Sequence, residues 1–160
     1  WKLRRSFRTR FLTTMNEKRS ITELAATKFA SLVSEWKFRE PLIQEEKWMT
    51  RLSFLHDIGI AIEIEIDWRE LEVFVLLVRL EHGSLPGGYY VSNGRVCRKH
   101  LVNVLREQGW IALNRRERRR KSASRTLEAF EESIERARTL VLDHVAQIVS
   151  RADVIFGAGE

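Results

Sequence analysis

From position 60 to 68 the chain reads Ile60-Ala61-Ile62-Glu63-Ile64-Glu65-Ile66-Asp67-Trp68, an unbroken alternation of apolar with small or acidic residues. Successive side chains of a strand point to opposite faces. Four isoleucines and a tryptophan therefore share one face, and Glu63, Glu65 and Asp67 share the other. Apolar runs on both sides make this strand the middle of a sheet.

The preceding run, Trp48–Leu55, is a second strand. A three-residue loop at Asp57-Ile58-Gly59 sets His56 opposite Ile60, Phe54 opposite Ile62, Leu52 opposite Ile64 and Trp48 opposite Trp68. On the other face it sets Arg51 against Glu65 and Ser53 against Glu63. A two-residue loop at Ile58-Gly59 would place Leu52 and Phe54 against carboxylates. A one-residue slip moves every side chain to the wrong face, so the three-residue loop is expected. It also puts Gly59 where such a loop calls for a left-handed residue. The buried face then comprises Trp48, Leu52, Phe54, Ile60, Ile62, Ile64, Ile66 and Trp68.

The other elements follow from pattern. Ser20-Ile21-Thr22-Glu23 has the spacing of a capping box. Ile21, Leu24, Ala25, Phe29, Leu32, Val33 and Trp36 continue it at helical period, which predicts a helix over about 21–35. Leu3, Phe7 and Phe11 suggest a short amphipathic helix before it. Pro41 suits an edge strand within 36–44. Val73–Leu80 is apolar on both faces, as in a strand covered on both sides. His82–Gly88 is a loop, Tyr89–Val91 a short strand, and Asn93-Gly94 a turn. A helix is expected over 96–107, with Val96, Leu101, Val104 and Leu105 inward and Gly109 as its stop. A C-terminal helix over 126–152 carries Leu127, Phe130, Ile134, Ala137, Val141, Val145, Ile148 and Ala152 on one face, and Glu128, Glu131, Glu132, Glu135, Arg136 and Arg138 on the other. The sum is an α+β fold: an antiparallel meander of about four strands packed against an N-terminal helix and C-terminal helices.

At 160 residues and 44% hydrophobic composition, a single globular domain spanning 1–160 is expected. The longest near-apolar run, Val73–Val78, is too short to cross a bilayer, and no secretory signal is visible. Cys97 is the one cysteine, which excludes an internal disulfide and fits a reducing cytoplasm. The net charge of +6 hides an asymmetry. Residues 1–19 hold seven Lys/Arg against one Glu, and the connector 114–125, NRRERRRKSASR, holds seven against one, so each balances at +6. The rest of the chain has 14 basic and 20 acidic residues, a balance of −6. It is an acidic body with two basic segments.

Four features bear on function. Glu63, Glu65 and Asp67 lie roughly 7 Å apart in succession at strand rise. They could hold a metal or act as paired acid and base, but the lysine that carboxylate nucleases place two residues along is missing. The plainer expectation is a solvated face partly neutralised by Arg51 and a neighbouring strand. Cys97 and His100 could meet on one helix face as a nucleophile pair, yet a zinc site needs about four ligands and no further Cys exists. A core Cys beside a surface His is the expectation. The loop Gly83–Gly88, followed by Tyr89 and Tyr90, lacks the ending of a phosphate-binding loop and reads as a connection from sheet to helix. The most function-like chemistry is basic: Arg4, Arg5, Arg8 and Arg10 interleaved with Phe7 and Phe11, and Arg115, Arg116, Arg118, Arg119, Arg120 and Lys121. Such clusters neutralise phosphates, or they pair with acidic faces of the same fold, here the Glu-rich side of the last helix.

No catalytic residue, metal or cofactor is assigned. The expected role is a small non-enzymatic interaction protein that binds a protein partner through its charged surfaces, with nucleic-acid binding through the basic segments as the alternative. Small bacterial immunity and antitoxin proteins have a similar helix–meander–helix outline, a likeness of outline that matches no motif residue. The oligomeric state is not legible.

Overall fold

A computed structural model describes residues 14–112 and 127–157. The chain opens with α1 (Met15–Lys28) and a single turn α2 (Ser31–Ser34). The meander follows as β1 (Leu42–Glu45), β2 (Met49–His56), β3 (Ile60–Asp67) and β4 (Glu72–Arg79). A small hairpin comes next, β5 (Val91–Ser92) and β6 (Arg95–Val96), then β7 (Arg98–His100) and α3 (Leu101–Glu107). The long α4 (Leu127–Ser150) and the short α5 (Ala152–Phe156) complete it. The main sheet is antiparallel in the order β1-β2-β3-β4-β7. This is an α+β fold.

The central register is the expected one. His56 pairs Ile60, Phe54 pairs Ile62, Leu52 pairs Ile64, Arg51 pairs Glu65 and Ser53 pairs Glu63. Asp57–Gly59 form the loop, with Gly59 at φ 90°. Leu52, Phe54, Ile60, Ile62, Ile64, Ile66 and Trp68 are buried on one face. There they meet Ala25 of α1 and Phe29 at its C-terminal cap, Leu101 and Leu105 of α3, and Phe130, Ile134, Val141, Val145 and Ile148 of α4. β4 is covered on both faces over Val75–Val78 as expected, with Val75 and Leu77 buried in the helix-side core and Leu76 and Val78 buried on the other side, while β3 and β7 pair its two edges.

Several expectations need correction. The first helix starts six residues earlier than the Ser20 box. Thr14 Oγ1 accepts from Glu17 N at 3.2 Å, and Glu17 Oε2 accepts from Thr14 N at 2.6 Å. Two S/T-x-x-E patterns compete, and the extra turn brings Lys18 Nζ to 5.5 Å from the Trp68 ring centroid. The same helix breaks at Phe29-Ala30 before α2, and Lys37 at φ 59° turns the chain toward β1. Trp48, expected in the core, is 48% exposed and carries Lys47 Nζ at 5.1 Å from its ring centroid. Its carbonyl still pairs with Trp68 N at 2.9 Å. The β2–β3 pairing thus continues one residue beyond the start of β2 and the end of β3, but only Trp68 of this pair turns its ring into the core.

The helix expected over 96–107 begins only at Leu101. Arg95-Val96 pairs back to Val91-Ser92, and Arg98–His100 pairs Leu76–Val78 as a fifth strand. Val96 is exposed, while Leu101, Val104 and Leu105 are buried as expected. Ladder bonds to two different partners override the local helical pattern. Asn93 and Gly94 make the turn, both left-handed at φ 49° and 75°, as a two-residue hairpin requires. The loop Gly83–Gly88 therefore leads into a hairpin rather than a helix. From Phe130 to Ile148 the C-terminal stripe is as read, but the helix ends at Ser150 and Ala152 belongs to α5. The basic positions 4, 5, 8 and 10, and 115, 116 and 118–121, lie outside the described residues, as does the 1–12 helix expectation.

Candidate functional site

The face of β3 opposite the isoleucines is not solvated. Glu63 is 0% exposed and Glu65 is 4% exposed. Arg51 of β2 donates from Nε to Glu65 Oε1 at 2.9 Å, and Ser53 Oγ donates to Glu63 Oε1 at 3.3 Å. Arg98 comes from β7, where it stands opposite Val78. Its row across the sheet contains Ala61, whose small side chain leaves room for a guanidinium to cross β4 to the diagonal carboxylate. There Nε reaches Glu63 Oε2 at 2.8 Å and Nη2 reaches Oε1 at 3.0 Å, a bidentate pair. Arg98 Nη1 also donates to the carbonyls of Gly88 and Tyr89 at 2.6 and 2.8 Å.

Tyr89 closes the network from above. Its hydroxyl lies 2.8 and 2.7 Å from the two Glu65 oxygens, and its ring sits between the guanidiniums, 5.4 Å from Arg51 Cζ and 5.3 Å from Arg98 Cζ. Burial, then the hydrogen bond to Glu65 and the charge of that carboxylate, push the Tyr89 hydroxyl well above the phenol range. Burial disfavours charge on Arg98, but the hydrogen bond and charge of Glu63 outweigh it and raise the guanidinium further. Two carboxylates and two guanidiniums thus neutralise one another inside the fold. The expectation of a solvated acidic face is corrected: the hairpin segment folds over it. Asp67 alone is partly open, and its Oδ1 accepts from Arg69 N at 2.8 Å and Glu70 N at 3.1 Å to set the turn into β4. Arg51 was foreseen as a neutralising partner. Arg98 and Tyr89 were missed, because they lie 35 and 24 positions from their carboxylates. Only the assignment of 98–100 to a strand would have signalled Arg98.

Cys97 and His100 have separate partners. Cys97 is free and buried, its Sγ 3.4 Å from the Tyr89 carbonyl and 3.6 Å from that of Gly88. Burial pushes its thiol up, against the lowering effect of Arg98. His100 Nε2 meets the Tyr90 hydroxyl at 3.0 Å, and its ring meets Phe74 edge-on at 5.9 Å. Among the described residues no group of three His, Cys, Asp or Glu is placed to hold a metal ion, and no helix is long and apolar enough to cross a membrane. On the Glu-rich side of α4, Glu135 pairs with Lys28 at 2.8 Å and Arg138 at 3.0 Å.

Among the described residues, β1 is an edge strand with no partner on its outer side. Glu46 N donates to Met49 O at 2.8 Å, and the register runs Glu45–Thr50 to Leu42–Ser53. Antiparallel bonding alternates along a pair. Leu42 and Gln44 therefore bond to β2, and Ile43 and Glu45 turn their peptide N–H and C=O to the open side. All four residues are exposed, Leu42 at 51% and Ile43 at 48%. Gln44 Oε1 accepts from Arg51 Nη1 at 3.2 Å, so the edge is tied to the buried network. Two clefts flank the strand on its helix side. One of about 270 Å³ is lined by Ala26, Ala30, Val33, Pro41 and Phe54, with Glu40 at its rim. The other, about 760 Å³, lies between α1 and the β1–β2 turn, with Met15, Lys18, Glu45, Glu46, Lys47 and Thr50 in its walls. Comparison with protein-family models, with curated proteins and with solved structures finds no match to this chain.

Proposed function

We propose that this chain is a non-enzymatic protein-binding module that accepts an extended segment of a protein partner along β1. The observation that carries this reading is the β1 edge itself: a strand with outward peptide groups, two exposed large apolar side chains and a cleft beside each end. An unpaired edge is a template for another strand. In strand addition, main-chain hydrogen bonds supply affinity and flanking clefts supply selectivity. Both faces of the sheet are otherwise occupied, one by helices and the other by the hairpin. The β3 carboxylates, the best acid–base candidates in the chain, are engaged by guanidiniums. The one thiol is free and buried, which suits a reducing compartment and supports a cytoplasmic reading.

The test is selection of extended peptides from a randomised display library against wild type and Ile43→Pro. Proline at this position removes an outward N–H while leaving the ladder to β2 intact. Peptides retained by wild type and lost by Ile43→Pro are the expected result. Retention that ignores the substitution overturns the reading. Binding of nucleic acid through residues 1–19 and 114–125 is the second reading, favoured by the +6 balance of each.

A further inference from the structure

We infer that the partner β1 accepts is a second copy of this chain, paired antiparallel to the first through its own β1. This rests on the edge reading above and names the occupant. The two ends of the strand differ in charge. At the Glu45 end, Lys18, Arg19 and Lys47 line the cleft with Glu45 and Glu46, so cations and carboxylates stand together. At the Pro41 end, Glu40 is the only charged residue in the cleft wall. Antiparallel self-pairing lays each end against the other. It brings a lysine-bearing turn to a carboxylate at both ends of the paired strands.

The outward groups set the register. Ile43 and Glu45 carry them, so outward positions must face outward positions and the two-fold axis passes through a residue. Centred on Gln44, Ile43 of each copy faces Glu45 of the other, and each such pair exchanges two main-chain hydrogen bonds. Lys47 of the second copy then stands opposite Pro41, next to Glu40. Centred on Ile43, Glu46 would face Glu40; centred on Glu45, that carboxylate would face itself. Like charges directly opposite destabilise a strand pair, which selects the Gln44 register. At the axis the two Gln44 residues form a non-hydrogen-bonded pair with Cα atoms about 4.5 Å apart. Arg51 Nη1 holds Gln44 Oε1 at 3.2 Å, which leaves the amide N–H groups to meet the copy. Pairing of β1 with β1 is isologous, closes at two copies and joins two five-stranded sheets into one. The opposite edge strand, β7, has three residues, and pairing it with β1 would build an open filament instead.

The experiment uses the full chain in two measurements. The first is disulfide trapping under mild oxidant, read on a non-reducing gel. A disulfide needs Cα atoms about 4.4–6.8 Å apart. Gln44→Cys, at an exposed position, should give a covalent dimer because it meets its own copy at the axis. Leu42→Cys should give none, because in this register about 14 Å of strand rise separates it from its copy. The buried Cys97 is common to both variants. The second measurement is sedimentation velocity over a concentration series. Wild type should pass from monomer to dimer. Ile43→Pro removes one outward N–H from each copy and should raise the dimer dissociation constant about ten-fold or more. Glu40→Lys and Lys47→Glu should each weaken the dimer, and the two together should restore it. A monomer at every concentration, or a folded Ile43→Pro that dimerises as well as wild type, overturns the inference. A Leu42→Cys cross-link, or none from Gln44→Cys, overturns the register. If Ile43→Pro fails to fold, the trapping pair decides. A wild-type monomer that still selects extended peptides, lost with Ile43→Pro, leaves the edge reading standing with a separate partner. A monomer that selects none overturns both.

Discussion

Glu63 has no access to water, and its closest cation is Arg98, 35 positions away, with Arg51 Nε farther off at 3.7 Å. Removing one member of a buried pair leaves the other charged and unpaired, which costs about 3–5 kcal/mol. Arg98→Ala should therefore destabilise the chain by that amount in urea unfolding. Replacing both partners together, Glu63→Leu with Arg98→Met, should cost markedly less than the single change. Tyr89 carries a pH signature. Its hydroxyl is raised in the folded chain, so the unfolded chain releases that proton first as pH climbs past about 10. The folded state then binds more protons, and stability falls as pH rises from about 10 upward. Tyr89→Phe should flatten that alkaline decline in denaturation series, and an unchanged slope would exclude the hydroxyl as its source. At Cys97, burial raises the thiol and Sγ lies under the hairpin. Thiol labelling of the native chain should be slower than that of a free thiol and should accelerate on unfolding. Faster labelling would revive a nucleophilic role for this residue.

At the scale of elements, β3 holds the fold together. Its isoleucines contact helices that lie far away in sequence, and Ile64 is 0% exposed. Ile64→Ala should cost about 2–5 kcal/mol, the range for large-to-small changes in a packed core. The start of α1 is held by the reciprocal Thr14–Glu17 cap. Thr14→Ala should cost about 1 kcal/mol, whereas Ser20→Ala should cost far less because Ser20 lies inside the helix. Thermal unfolding of the two variants decides between these caps. The β1 edge behaves differently from both. It has no buried side chain, so Ile43→Pro should leave the melting temperature near wild type while removing any strand-adding ligand.

For the whole molecule the question is what its charge distribution does. The acidic body opposes a polyanion, so any nucleic-acid affinity must arise from residues 1–19 and 114–125. Under the protein-binding reading, exposed charges are screened beyond roughly 8 Å at about 150 mM salt, and the purified chain should show no retention on nucleic acid there. The reversal Arg118→Glu/Arg119→Glu/Arg120→Glu should then slow association with a protein partner and leave unfolding unchanged. Tight nucleic-acid binding at physiological salt that this reversal abolishes would select the alternative.

The sequence by itself determined what is periodic and local. The 60–68 alternation set a strand, the carboxylates at 63 and 65 forced the three-residue loop, and that loop set the whole β2–β3 register. The stripe along α4 and the Asn93-Gly94 turn were equally legible, because each follows from period or from a left-handed backbone. Tertiary structure decided the rest. Residues 98–100 pass a helical test locally, yet they join β4, because ladder bonds and the Glu63 carboxylate together outweigh a weak helix start. That choice converted an acidic face into a closed ion network. Trp48 and Trp68 look equivalent in an alternating pattern, but only Trp68 lies within reach of Phe130 and the Thr50 hydroxyl. The open edge was half legible: Pro41 marked an edge strand. Which clefts flank it depended on where the N-terminal helices came to rest. Long-range pairing and the choice between two uses of one local pattern are decided by the sum of contacts across the fold, which no window of sequence contains.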